Sequence, residues 1–466
     1  MNTSTVQFTH TEEGTPEPVW WAARQWDDVP ILDAPAMATT FSHVVVAAAH
    51  PDDETLGLGG LVTDMGILGI PISVLVATAG ERSHADLDDA DRSLLGTRRR
   101  REVEHALSGL APEASLTHLG MPDTRLESHA TELAQEIAGR VDARSLILAP
   151  WTHDGHSDHD ALGSAAALAA TLSGAAVAFY PIWLWHWGNP QTAPWASMIA
   201  YEASLVGAWR KRAALGGYAS QSTPASEHGG IGTQAPILGS TAMARGCRLV
   251  ETLIDPREQL PRLSRRVPAD RRAERVATFD SMYDAGADPW GNTTSFYEER
   301  RRALVLAMLG ARRYNRALEL GCADGYLTTA LADRTDQLLA LDTSQRAVEA
   351  ARLATAGARI ERGDVPRDIP QGPFDLIVVS EVGYFLTPIE LIQTVRRAEA
   401  ALTPDGELVL CHWQHPTNHV PLDGFLVHEQ ARSVISRPLR ARHIDDDLCI
   451  EVWGPALSVA ELEGRL

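Results

Sequence analysis

Val44-Val45-Val46-Ala47-Ala48-Ala49-His50-Pro51-Asp52-Asp53-Glu54 is the stretch from which the rest of the chain is read. An apolar, β-branched run gives way to an imidazole, a proline and three acids, and glycines follow at Gly57, Gly59 and Gly60. That order reads as strand, loop and helix. The loop then lies at the carboxyl end of a strand, where open α/β sheets hold their ligands. Acids in that place often only cap the next helix. A second stretch weighs against capping: His153-Asp154-Gly155-His156-Ser157-Asp158-His159, after the apolar run Leu146-Ile147-Leu148-Ala149-Pro150. Two strand-end loops bearing His and Asp supply a metal triad with an open fourth position, and a further carboxylate beside it to serve as base.

His-Pro-Asp-Asp-Glu with a later His-x-Asp-His resembles the LmbE-like, or PIG-L, zinc-dependent N-acetylglucosaminyl deacetylases. Thr78-Ala79-Gly80-Glu81, Arg99-x-x-Glu102-x-x-x-Ala106 and Gly120-Met121-Pro122-Asp123 add to the likeness, which spans roughly residues 40 to 221. The resemblance implies a Rossmann-like fold with His50, Asp53 and His159 as zinc ligands and Asp52 as general base. It also implies that His156 stabilises the oxyanion or protonates the leaving amine, that Asp158 orients the histidines, and that Arg99 and Asp123 meet sugar hydroxyls.

At 466 residues the chain exceeds one ordinary domain, and 44% hydrophobic residues are enough for two cores. A formal charge of −20 argues against nucleic acid and against an anionic membrane surface as partners. Lys211 is the only lysine. Cys247, Cys322, Cys411 and Cys449 form no Cys-x-x-Cys pair, so each is expected to be a buried or neutral thiol in a reducing compartment. Met1 to Glu17 lacks an apolar signal core and no apolar run is long enough to span a bilayer, so a cytoplasmic location is expected.

Along the chain, residues 1–40 read as an arm anchored by Trp20, Trp21 and Trp26. Strands are expected at 43–49, 72–78, 115–119, 145–149 and 176–181, with helices near 57–68, 93–108, 130–141 and 159–172. Such alternation predicts a parallel sheet covered on both faces. In Pro181-Ile182-Trp183-Leu184-Trp185-His186-Trp187, three alternate tryptophans would share one face of an extended segment, either in the core or as a wall for a sugar ring. Lys211 to Gln221 resembles the helix and Tyr-x-Ser-Gln turn of the same family. Gly229–Gly232 reads as loop, 240–254 has helical spacing, and 255–275 reads as a linker between domains at 1–254 and 276–466.

In the second half, Ala317-Leu318-Glu319-Leu320-Gly321-Cys322-Ala323-Asp324-Gly325 is a strand and a glycine turn. A second strand ends in Asp342, about 20 residues on, the spacing for ribose recognition. Gly321-x-x-x-Gly325 is closer to class I S-adenosylmethionine-dependent methyltransferases than to a dinucleotide site. Gly363-Asp364 ends a third strand, and Phe374 to Glu381 is the fourth strand with its active end. Ala323 stands where that class usually has its middle glycine. Asp288-Pro289-Trp290, Tyr297-Glu298, Glu319-Leu320-Gly321-Cys322, Ser380-Glu381-x-x-Tyr384 and Cys411-His412-Trp413 narrow the resemblance to NodS-like methyltransferases, over roughly 279 to 430. The cofactor residues implied are Trp290, Arg301, Gly321, Asp324, Gly325, Asp342, Asp364 and Glu381; Glu381, Tyr384 and His412 are candidate bases. The expectation is an α/β chain of two domains, each a mostly parallel sheet flanked by helices, that deacetylates a small-molecule acetamido sugar and N-methylates the freed amine. Methyl transfer to oxygen, or one domain serving only to bind, stays open, as does oligomeric state.

Overall fold

The computed structural model describes residues 14–84, 87–223, 236–263, 269–286, 288–417, 420–455 and 457–466. The expected Gly229–Gly232 loop lies outside them. The chain divides into two units, Met1–Arg265 and Arg266–Leu466.

The first unit is built on β1 (Ile31–Leu32), β2 (His43–Ala48), β3 (Ile72–Val76), β4 (Ser115–His118), β5 (Ser145–Pro150), β6 (Ala176–Tyr180), β7 (Met198–Glu202), β8 (Val250–Ile254) and β9 (Arg262–Leu263). They lie side by side as β4-β3-β2-β5-β6-β8-β7-β1-β9. β4 through β6 are parallel, and β8 runs against both its neighbours. β5 and β6 are buried at every position, as strands sandwiched between helices must be, which is why they read as unbroken apolar runs. The order reverses between β2 and β5, and both sequence motifs leave the sheet at the carboxyl ends of these two strands.

Three expectations change here. Of 240–254, only Ser240–Gly246 is helical; Val250–Ile254 is β8, paired with β7, so sheet pairing overrode the local spacing. The arm is part of the sheet, because β1 pairs with β7 and β9, and Trp20 and Trp21 are buried. The expected linker is structured at both ends: β9 is an edge strand of the first sheet, and a helix runs Ala269–Ala285.

The second unit holds β10 (Tyr314–Leu320), β11 (Thr335–Asp342), β12 (Ala358–Arg362), β13 (Phe374–Ser380), β14 (Leu402–Trp413), β15 (Leu439–Ile444) and β16 (Leu448–Trp453), in the order β12-β11-β10-β13-β14-β16-β15. β12 through β14 are parallel and β16 is antiparallel to both neighbours. The reversal falls between β10 and β13, so Gly321 and Glu381 leave adjacent strands at one switch point. No described helix is long and apolar enough to cross a membrane.

Candidate functional site

After β2 the chain turns through His50–Asp52 into the helix Asp53–Ile67. Asp52 adopts φ 129°, a conformation costing an L residue on the order of 1–3 kcal/mol. Arg99 holds it there, donating to Asp52 Oδ2 at 3.2 Å and to the Pro51 and Gly80 carbonyls at 3.0 Å each. Gly80, at φ +60°, permits that approach, since a Cβ would sit 1.8 Å from the guanidinium. Among the described residues, five non-glycines have positive φ, and four of them (Asp52, Thr124, Ala323 and Glu381) line the two cavities discussed below.

His50 Nε2 lies 3.3 Å from Asp158 and 3.4 Å from Asp123, and its Nδ1 lies 3.5 Å from Asp53. Ligand atoms of His50, Asp53 and His159 fall within 4.8 Å of one another. Burial opposes charge on His50, yet the Asp123, Asp158 and Asp53 carboxylates hold its pKa well above the usual value. Against the same burial, Asp53 and Asp154 push His159 up to about 9. Burial holds Asp52 up at about 7, while Arg99 pulls it down. These carboxylates draw positive charge between the two rings, which a divalent cation supplies with both imidazoles neutral.

The donor set fits such an ion. His159 is fully buried, its Nδ1 bonds Asp154 Oδ2 at 2.8 Å, and its Nε2 makes no hydrogen bond, with Asp53 Oδ1 at 3.4 Å. With the proton on Nδ1, a lone pair faces a carboxylate, an arrangement a cation between them relieves. Asp154 was not singled out from the sequence, where one acid among several in a loop carries no mark. Its carboxylate also accepts the backbone N–H groups of Ile182, Trp183 and Leu184 at 2.9–3.0 Å. Asp158, expected to orient the histidines, reaches His50 alone; its oxygens otherwise accept the Thr124 and Leu126 N–H groups. If the cluster holds a divalent ion, Asp154→Asn should weaken its binding roughly 10–100-fold, the usual cost of a lost outer partner. Competition against a chromophoric chelator measures it, and unchanged affinity would reduce Asp154 to a helix cap.

The cavity over this cluster is lined also by Arg99, Asp123, His156, Trp183 and Gln221. The tryptophans do not form an extended face. Leu184–Trp187 is a helical turn begun by the Asp154 contacts, so Trp183 and Trp187, four apart, stack at 5.4 Å, while Trp185 packs edge-on against Trp20 at 4.8 Å. Only Trp183 reaches the cavity.

In the second unit, one cavity collects Trp290, Arg301, Gly321, Asp324, Asp342, Asp364, Glu381 and Tyr384. Ala323 adopts φ +48° despite its side chain, and its N–H bonds Asp342 Oδ2 at 2.9 Å, so the turn forms without the usual glycine. Gly325, at φ +87°, begins the next helix rather than lining the cavity. Burial raises Asp342 to about 6; its other oxygen accepts the Ser344 N–H. Asp364 is paired with Arg275 at 3.0 Å, and Arg301 with Glu298 and Ser380. Trp290 is 37% exposed at the cavity edge. His412 does not line the cavity. Its Nε2 accepts the Gly383 N–H at 3.0 Å and its Nδ1 meets His428 at 3.2 Å, so its basic lone pair is occupied. Glu319, to which the resemblance assigned no cofactor role, lines the cavity with Oε2 unbonded and its pKa raised to about 7 by burial.

Residues 45–170 match the family model for PIG-L, GlcNAc-PI de-N-acetylase, and residues 280–418 that for NodS, nodulation protein S. Nodulation protein S of Bradyrhizobium diazoefficiens is 37% identical over 26% of this chain and 61% of its own length. The Bacillus subtilis protein named probable N-acetyl-α-D-glucosaminyl L-malate deacetylase 2 is 33% identical over 26% of this chain and 58% of its own. The chain thus spans about three fifths of these relatives. The crystal structure of N-methyltransferase NodS from Bradyrhizobium japonicum WM9 is 22% identical, with 39% of this chain and 99% of that one covered and a TM-score of 0.32. With the two motif clusters on two separate sheets, the chain is a fusion of a PIG-L deacetylase-like domain and a NodS-like methyltransferase domain.

Proposed function

We propose that the chain removes the acetyl group of an N-acetylated amino sugar or its conjugate and then methylates the freed amine with S-adenosylmethionine. The observation that carries this reading is the His50, Asp53 and His159 cluster with Asp52 beside it, joined in one chain to the glycine-turn cavity around Gly321. His50, Asp53 and His159 would hold the zinc, which when bound would supply a Lewis acid for the acetamide carbonyl and lower the pKa of the attacking water. Asp52 is the proton acceptor, with the pKa that burial gives it and an orientation set by Arg99. His156 Nδ1 accepts the Asp158 N–H at 3.2 Å, which places the ring proton on Nε2. Burial and the neighbouring His159 and His50 keep the His156 pKa well below its usual value, so this neutral ring donates to the developing oxyanion. Arg99 and Asp123 meet sugar hydroxyls from the cavity wall.

Water and acetamide give acetate and the amine. S-adenosylmethionine brings the methyl on its sulfonium, and the amine attacks once it is neutral, releasing one proton. Burial and Glu381 raise Tyr384 well above its usual value, and its hydroxyl bonds Glu381, so Glu381 is the remaining proton acceptor. Each Asp342 oxygen keeps a lone pair for a ribose hydroxyl. Asp342→Ala should weaken S-adenosylmethionine binding by about 1.5–3 kcal/mol per charged hydrogen bond lost. Unchanged affinity by calorimetry would leave Asp342 a turn-holding residue only. The four free thiols suit a reducing cytoplasm.

The reading is tested by incubating the protein with a panel of N-acetylated amino-sugar glycosides, with and without S-adenosylmethionine, and weighing the products. Deacetylation alone is expected without the methyl donor, and an N-methylamine with it. A panel returned intact would reject the reading.

A further inference from the structure

His412 stands near the end of β14, fully buried and outside the methyl-transfer cavity. Its Nε2 accepts the Gly383 N–H at 3.0 Å. A backbone amide only donates, so that ring nitrogen carries no proton. Burial, with His428 and Arg301 behind it, keeps the His412 pKa well below its usual value. The neutral ring therefore has its proton on Nδ1, 3.2 Å from His428 Nε2, which accepts it. Burial keeps His428 neutral as well, so its own proton is on Nδ1 and is given to Glu451 Oε2 at 2.8 Å. Glu451 Oε1 accepts from Arg432 Nε at 2.7 Å and lies 3.2 Å from Arg442 Nε. Burial opposes charge on Glu451, yet His428 and Arg432 hold its pKa below the usual value.

Three elements supply this chain: β16 gives Glu451, the helix Gly424–Val434 gives His428 and β14 gives His412. None of the three residues is more than 1% exposed. The Cys449 sulfur lies within 4.8 Å of ligand atoms of His428 and Glu451. Both His428 nitrogens are occupied, however, and two arginines already meet the carboxylate, so the cluster is a hydrogen-bonded chain and not a cation site.

The chain ends on the turn Gly383–Phe385, whose Tyr384 and Phe385 line the methyl-transfer cavity. A Cβ at Gly383 would lie 2.8 Å from His412 Nε2 and 2.5 Å from Val427, so glycine lets the turn approach the ring. The His412 ring also packs edge-on against Tyr384 at 5.7 Å, and the Tyr384 hydroxyl donates to Glu381 Oε2. Next to His412, the Trp413 N–H donates to Glu381 Oε1 at 3.0 Å. A neutral imidazole has two tautomers, and the other one would aim an N–H at the Gly383 N–H and displace the turn. The acceptor at His428 removes that choice.

We propose that Glu451 and His428 are positioning residues for methyl transfer: they fix the His412 tautomer, and His412 holds the Gly383–Phe385 turn so that Tyr384 stays against Glu381. The inference rests on the methyltransferase reading above.

The test uses the full-length protein with S-adenosylmethionine and, as acceptors, methyl glucosaminide and the deacetylated members of the sugar panel. His412→Leu and His428→Leu should each lower kcat for methylation at least about tenfold, the scale of a small misplacement of reacting groups. The Kd for S-adenosylmethionine, by calorimetry, should change less than kcat. His412→Gln has no basic nitrogen, yet its carbonyl takes the Gly383 N–H in place of Nε2, so it should recover most of the rate. Nitrogen NMR of selectively labelled histidines should show both wild-type rings neutral and protonated on Nδ1. Wild-type turnover by either leucine variant overturns the proposal. So does a wild-type His412 protonated on Nε2, a result that decides even if the leucine variants do not fold. No recovery in His412→Gln also overturns it and makes the ring itself the base. If wild type methylates none of the acceptors, the methyltransferase reading falls and this proposal with it.

Discussion

His159→Ala should lose its zinc and, from an N-acetylated substrate, make no methylated product, yet methylate the free amine at the wild-type rate. His159 is one of the three clustered residues proposed as ligands and the one without solvent exposure, so its loss should exceed the roughly 10–100-fold that an outer partner costs. The effect on methylation follows from the chemistry of nitrogen. An acetamide nitrogen is delocalised into its carbonyl and is a poor nucleophile, whereas an amine has a free lone pair once deprotonated. On the proposed reading the first reaction makes the nucleophile that the second consumes, and joining the two domains in one chain would raise their mutual effective concentration. Normal turnover of the supplied amine also reports that the second unit is folded. Methylation of the intact acetylated compound by this variant would show instead that the domains act independently or that the methyl goes to oxygen.

Asp52→Asn should keep its zinc and lose about 10²–10⁴-fold in deacetylation, the share a positioned base contributes. The ligands remain, and Asn still accepts from Arg99, so a loss confined to turnover separates chemistry from binding. Asp52 stands at about 7 through burial, and a dication beside it draws that value down. A base works deprotonated, so kcat/KM should fall on the acid side, with its limb below pH 7, and that limb should vanish in the variant. Wild-type turnover by Asp52→Asn would move the base to another group.

Both strand-end loops and the glycine turn were legible in the sequence because each is local. An apolar run followed by small and polar residues becomes strand and loop whatever lies elsewhere, and the positions of β2, β3, β5 and β6 followed from it within two residues. The resemblance named His50, Asp53 and His159 as a set, and the structure clusters them because two such loops, far apart in sequence, end parallel neighbours in one sheet. What neither loop could show is which acid serves which histidine. Asp154 and Asp158 are equivalent on paper; packing against Ile182–Leu184 gave Asp154 to His159, and the Thr124–Leu126 turn holds Asp158 at His50. The tertiary structure likewise withdrew His412 as a base by filling its lone pair from Gly383, and turned the alternate tryptophans into a helical turn through one buried carboxylate. Periodicity and motif spacing determine strands, loops and ligand types, because those depend on neighbours in the chain; the pairing of buried polar atoms depends on neighbours in space, and only the folded structure decides it.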